Sequence, residues 1–284
     1  MSGRMPIYSG HMPTITPGPA PFSAGESHKA RQMAESFGLD AERYDRARPS
    51  YPPAMVERIV AGSPGRDVLD VGIGTGISAR PFQAAGCRVT GVDVDDRMAE
   101  FARRQGFEVE VATFEEWRPG RRMFDLVIAG QAWHWVDPVA GPLKAAQVLR
   151  PSGRLAVFWN VFQFPADLSA AIAAVYRQVL PGSPFARGTS GGLAAYSGLA
   201  TKAADGIRDA ARFGPPEQWQ FDWERLYTRD EWLDQVPTSG GHNQFPPGKL
   251  DELLEGTGAA IDAVGGRFTM SYVAVVVTAA LADA

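Results

Sequence analysis

Five short apolar runs, at 67–71, 88–92, 108–111, 124–129 and 154–158, alternate with helical segments at about 80–85, 96–104 and 139–148. Each run ends at a Gly, Asp, Thr or Asn, where a loop turns. Strands interleaved with helices in this way pack as a parallel sheet covered on both faces. Ahead of them a polar helical segment at 37–48 breaks at Arg48-Pro49-Ser50-Tyr51-Pro52-Pro53, because a residue preceding proline is pushed out of the α region. Pro53 then opens a second helix to about Val60. Residues 161–215 change character: helix formers fill 166–180, then Gly and Ser cluster over 188–198, which reads as a helical insertion over the sheet. Strand patterning returns at 219–223 and 267–277. Between those strands, Thr228 with Glu231 three residues on forms a capping box for a helix to Val236, and a further helix over 249–264 stops at Gly265-Gly266. The expected architecture is a doubly wound α/β fold, a seven-stranded, mostly parallel sheet finished by an antiparallel strand. Pro81 falls inside the helix expected after Gly76, so that helix starts late or kinks.

The first run continues into the densest motif, Asp67-Val-Leu-Asp-Val-Gly-Ile-Gly-Thr-Gly76. Gly72, Gly74 and Gly76 follow a strand and precede a helix, where bare backbone lets a ligand lie against the loop. A dinucleotide fingerprint needs its third glycine at 77, which is Ile77, and Asp70 beside the loop repels a pyrophosphate. The acid suits a cationic ligand instead. S-adenosylmethionine carries an ammonium and a sulfonium and no phosphate.

These residues resemble the glycine-rich motif of class I S-adenosylmethionine-dependent methyltransferases. By that resemblance Asp93, closing the second strand, takes the ribose hydroxyls; the alternative is a helix N-cap, a role open equally to Asp95 and Asp96. By the same resemblance Met98 lies against adenine, or is plain core. Ala112-Thr113-Phe114-Glu115 is similar to the stretch that reads the adenine edge, with Thr113 where many relatives have Asp. In this family Gly130-Gln-Ala-Trp-His-Trp-Val-Asp137 borders the transferred methyl, with Gln131 toward the cofactor. It lacks the Asn or Asp with Pro-Pro that amide methylation uses, and resembles the trans-aconitate-methyltransferase-like branch, whose members esterify or etherify small molecules. In that branch Tyr44 and Arg48 close over the cofactor's amino-acid end, Arg48 pairing its carboxylate. His134 is the candidate catalytic residue, either a base for a hydroxyl acceptor or an orienting donor to a carboxylate already ionised. Trp133, Trp135 and the rim residue His242 are candidates for the substrate pocket. The expected product is S-adenosylhomocysteine.

Composition narrows the classes further. At 284 residues, 45% hydrophobic and 21% charged, the chain can bury a core, and a net charge of −4 gives no footprint for a phosphate backbone or an anionic membrane. A small-molecule acceptor is expected, with neither nucleic acid nor membrane as partner. Residues 1–27 hold Pro6, Pro13, Pro17, Pro19 and Pro21 without an apolar period and are expected as a flexible tail. The single cysteine, Cys87, and the absence of a charged segment leading into an apolar one point to a cytoplasmic protein. Four scattered histidines show no metal-ligand spacing. Two rivals stay open: a cofactor-binding partner without catalysis, which keeps every glycine, and a nucleotide-linked oxidoreductase, against which Asp70 and Ile77 speak.

Overall fold

The computed structural model describes residues 37–181, 183, 186, 193–240, 242, 245 and 247–282. The expected tail, with His11 and His28, lies outside the described residues. Described elements begin with a 3-10 turn at Phe37–Asp40, helix α1 (Ala41–Ala47) and helix α2 (Pro53–Ala61). The alternating core follows as β1 (Asp67–Val71), α3 (Ala79–Ala84), β2 (Arg88–Asp93), α4 (Asp96–Arg104), β3 (Glu108–Val111), β4 (Phe124–Gly130), α5 (Ala140–Val148) and β5 (Leu149–Gln163). Two helices, α6 (Ala166–Val179) and α7 (Leu193–Asp209), separate β5 from β6 (Glu217–Thr228). Helices α8 (Arg229–Gln235) and α9 (Pro247–Ala263) then lead to β7 (Arg267–Ala280).

The strands form one sheet in the order β3-β2-β1-β4-β5-β7-β6, parallel from β3 to β5, with β7 antiparallel to both of its neighbours. Burial follows position. Central β4 is covered almost throughout, whereas edge strand β6 largely alternates between covered and exposed residues, as a strand with one solvated face does. One face of the sheet packs Leu155, Val157 and Trp159 with Ala200, Ala203 and Ile207 of α7. The other packs Leu126, Ile128 and Phe158 with Met55 and Ile59 of α2. A satellite core joins α6, α8 and α9 to the far ends of β6 and β7 around Tyr227, Trp232 and Phe268.

Local chemistry explains most boundaries. Thr228 accepts from the Glu231 backbone while the Glu231 carboxylate accepts from Thr228, the reciprocal cap expected at that helix start. Helix α3 starts late, at Ala79, so Pro81 sits in its first turn, where a missing N–H costs nothing. The second helix of the expected insertion is α7. In it Tyr196, Leu199, Ala200, Ala203 and Ile207 recur at helical spacing and pack against the sheet.

The order of strands reverses direction between β1 and β4, and at such a point the loops after neighbouring strands diverge and leave a crevice. Val71, Asp93 and Gly130, at the carboxyl ends of β1, β2 and β4, line a cavity of about 490 Å³ there, within the roughly 300–1,000 Å³ range of small-molecule sites.

Candidate active site

One end of the cavity is built from backbone and carboxylates. Gly72, Gly74 and Gly76 all have positive φ, at 70°, 57° and 91°. At Gly74 a Cβ would meet nothing within 4 Å, so the loop there faces open space, whereas a Cβ on Gly72 would strike Ala132. The Gly74 N–H donates to Asp93 Oδ2 at 2.7 Å and the Asp95 N–H to Oδ1 at 2.9 Å. These two bonds hold the carboxylate beneath the loop, while burial outweighs them and raises its pKa to about 6. The N-cap of α4 is Asp95, not Asp93. Asp70 is fully buried behind the loop and outside the cavity wall. Burial lifts its pKa to about 8, against the Ser78 hydroxyl, which donates to Oδ2 at 2.6 Å. Its Oδ1 has no hydrogen-bond partner among the described residues.

Met98, Thr113 and Phe114 continue this wall. Met98 is 4% exposed and so serves the core and the cavity at once. The Thr113 hydroxyl accepts from the Glu116 N–H at 3.3 Å and shapes the turn after β3. Over the opening stand Tyr44 and Arg48, the guanidinium 5.1 Å from the Tyr44 ring centre. One Arg48 amine donates to the Thr238 carbonyl at 2.5 Å, and its buried Nε is unpartnered among the described residues.

The other end is mainly aromatic. Gln131 leaves β4 with a φ of 55°, a conformation that costs a non-glycine residue energy and turns the chain sharply into the cavity. Its side-chain amide donates to the Asn160 carbonyl at 3.2 Å and it is also hydrogen-bonded to the Tyr196 hydroxyl of α7. Trp133–Trp135 form a single 3-10 turn. With three residues per turn, neighbours on it point about 120° apart, and the three aromatic rings separate accordingly. Trp133 turns into the core against Phe114 and is 4% exposed, outside the cavity wall, while His134 and Trp135 line it. The Trp159 indole donates to His134 Nδ1 at 3.3 Å, and burial together with the Lys202 charge lowers the histidine pKa to about 4.

His242 faces elsewhere. Its Nε2 lies 2.8 Å from the Tyr176 hydroxyl of α6 within the satellite core, so the loop contributes Ser239 and Gly240 to the cavity rather than the imidazole. Gly76 is likewise off the wall, its missing Cβ making room for Phe107. Gly72, Gly74, Asp93, Tyr44, Arg48, Met98, Thr113, Phe114, Gln131, His134 and Trp135 are brought together around one cavity; Asp70, Gly76, Trp133 and His242 are not part of its surface.

Comparison with known proteins gives this arrangement a family likeness. Residues 69–157 match the family model described as a methyltransferase domain. Over that stretch the chain is similar to methyltransferase domains. An uncharacterized methyltransferase of Mycobacterium bovis is 38% identical over 132 residues, 46% of this chain and 54% of that protein. A ubiquinone biosynthesis O-methyltransferase of Aromatoleum aromaticum is 34% identical over 126 residues, 41% and 53% of the two chains. The chain thus spans about half the length of the curated relatives it matches. A solved structure described as a type II methyltransferase, from Anaeromyxobacter dehalogenans, superposes with a TM-score of 0.55 at 20% identity, covering 81% of this chain and 97% of that one. It shares the fold, in which the antiparallel strand is inserted between the fifth and the edge strand.

Several residues in and behind the wall escape a reading of the sequence alone. Tyr196 belongs to a helix of the expected insertion, and its place in the Tyr196-Leu199-Ala203 apolar series is a usable signal. Asn160 looks like a turn residue at the end of a strand. Instead it is 3% exposed, donates to the Ser50 carbonyl and accepts from the Trp223 indole, tying β5 to the prolyl segment and to β6. Trp159 is a buried strand tryptophan with nothing local to mark its contact with His134.

Proposed function

We propose that the protein transfers a methyl group from S-adenosylmethionine to an oxygen of a small acceptor, a carboxylate or a hydroxyl. The observation that carries this reading is the continuity of the cavity: the bare backbone at Gly74 and the carboxylate of Asp93 share one space with His134 and Trp135. Two features of the site fit such a cofactor. A Cβ at Gly74 would meet nothing within 4 Å, and the orphaned Oδ1 of Asp70 belongs to a buried carboxyl behind the loop whose ionised form a cation would favour.

In this reading Asp93 accepts from the ribose hydroxyls, Met98, Thr113 and Phe114 hold the adenine, and Arg48 pairs the amino-acid carboxylate through the nitrogen left unpartnered. When bound, the cofactor supplies an activated methyl on a sulfonium. The protein's work is to hold the acceptor oxygen in line with it, an effect worth up to about 7–11 kcal/mol. The insertion expected at 161–215 begins only after β5 ends at Gln163, and its helix α7 acts as the lid that selects the acceptor, with Tyr196 on its inner surface. The Gln131-Ala-Trp-His-Trp135 series supports a place near the trans-aconitate-methyltransferase-like branch, and the similar O-methyltransferase supports an oxygen acceptor.

Calorimetric titration with S-adenosylhomocysteine tests the cofactor half. Wild-type protein binds, and Asp93→Ala, shown folded by circular dichroism, binds about 100-fold more weakly through loss of charge-assisted bonds to two hydroxyls. Equal affinity in the two proteins would remove Asp93 from the ribose, and binding of NAD in place of S-adenosylhomocysteine would favour an oxidoreductase.

A further inference from the structure

We infer that Trp159 fixes His134 as a neutral hydrogen-bond donor, so that the acceptor oxygen must be one that reaches the site already ionised. The inference rests on the methyl-transfer reading and narrows its substrate class.

An indole N–H can only donate. Trp159, on β5 and 1% exposed, donates to His134 Nδ1 at 3.3 Å. A ring nitrogen that accepts a hydrogen bond carries no proton, so the proton of the neutral imidazole sits on Nε2. Moving it to Nδ1 would set one N–H against another in a buried place and leave the indole without an acceptor. Adding a second proton is opposed from the lid side as well, where the ammonium of Lys202 on α7 acts on the ring, while on its own turn the ring is covered by Trp135 at 4.7 Å between centres. The one lone pair of an Nε2–H ring sits on Nδ1, where the Trp159 indole occupies it, so none is left at Nε2 to take a proton. Such a ring can donate to an oxygen but cannot deprotonate a hydroxyl.

The methyl transfer balances without a base only for an anionic acceptor. A lone pair of the acceptor oxygen forms the new O–C bond as the pair of the S–C bond leaves with sulfur. The negative charge of the acceptor and the positive charge of the sulfonium cancel, and no proton is released. Carboxylates, and phenols or enols acidic enough to be ionised at neutral pH, meet this condition; simple alcohols do not. His134 then orients the oxygen through Nε2–H, and Trp159 is a positioning residue acting through it.

The tautomer is read directly, without turnover, by long-range proton–nitrogen correlation spectra of protein carrying nitrogen-15 histidine, with and without S-adenosylhomocysteine. The expected result is one Nε2-protonated pattern for His134, constant from pH 6 to pH 9, and a shift toward a mixture of tautomers in Trp159→Phe. An Nδ1–H ring or a titrating imidazolium in the wild-type protein over that range would overturn the inference. His242 supplies an internal control, being buried against Tyr176 rather than an indole. Because the spectrum is independent of methyl transfer, failure here leaves the calorimetric test of cofactor binding standing, and the reverse holds too.

Discussion

The two ends of the cavity are made by different means. The end at β1 and β2 is built from contiguous sequence: ten residues from Asp67 to Gly76 supply the strand, the loop and the buried acid, and Asp93 closes the neighbouring strand. Its chemistry is backbone and carboxylate. The end at β4 and β5 is assembled from segments far apart in the chain, the 3-10 turn at 133–135, Asn160 and Phe162 of β5, Tyr196 of α7 and the loop at Ser239, and it presents rings and neutral amides. The contrast fits a division of labour in which a constant ligand is read by local backbone and a variable one by remote side chains. It also says what mutation should separate. Changes at the first end alter cofactor affinity, changes at the second alter the acceptor, and changes in the core beneath alter neither before they alter stability.

The two tryptophans of one turn break the comparison most sharply if it is wrong. Trp133→Ala empties a core position and is expected to cost about 3–5 kcal/mol of unfolding free energy, measured by denaturant titration. Trp135→Ala costs little stability and instead raises the acceptor KM about tenfold through loss of an aromatic wall. Reversed effects would mean that the turn presents its other face to the cavity.

A second expectation concerns the buried acids. Asp70 in the folded protein has a pKa of about 8, above its ordinary 3.8, and Asp93 one of about 6. The folded state therefore holds protons that the unfolded chain has released. Their contribution to stability is fully present below about pH 4 and is lost as pH rises through 6 for Asp93 and through 8 for Asp70. Ligand-free protein should lose on the order of 2 kcal/mol between about pH 6 and pH 8.5, seen as a falling urea midpoint. Asp70→Asn should flatten that slope, and so should saturating S-adenosylmethionine if its positive charges favour the ionised carboxylate. An unchanged slope in Asp70→Asn would take Asp70 out of this account.

The smallest effect belongs to the lid. Tyr196→Phe removes a hydroxyl that partners Gln131, a net change of about 1 kcal/mol for one neutral bond. A rise of about fivefold in acceptor KM, with S-adenosylhomocysteine affinity unchanged, is expected. A loss of cofactor affinity instead would move Tyr196 to the first end of the cavity.

The same contrast governs what can be read from the sequence. The strands and their order of appearance are legible because apolar runs between turn residues mark a covered parallel sheet whatever surrounds them. Gly72, Gly74 and Asp93 are legible because their reasons for being there are local. Trp133 and Trp135 are not separable, since their directions depend on the tightness of a turn that composition does not set. His242 lies beside true rim residues, but its ring is claimed by Tyr176, 66 positions away. Helix α7 falls within the stretch read as a helical insertion, but the packing of its apolar stripe on the sheet depends on strands far away in the chain.

The most direct test of the central claim is transfer of labelled methyl from S-adenosylmethionine into a pooled mixture of carboxylic acids, phenols and alcohols, with each product identified by mass. Label on a carboxylic acid, released by mild base as expected of a methyl ester, or on an acidic phenol, is the predicted result. Label confined to simple alcohols or amines, or no transfer at all from protein that binds S-adenosylhomocysteine, would contradict the account.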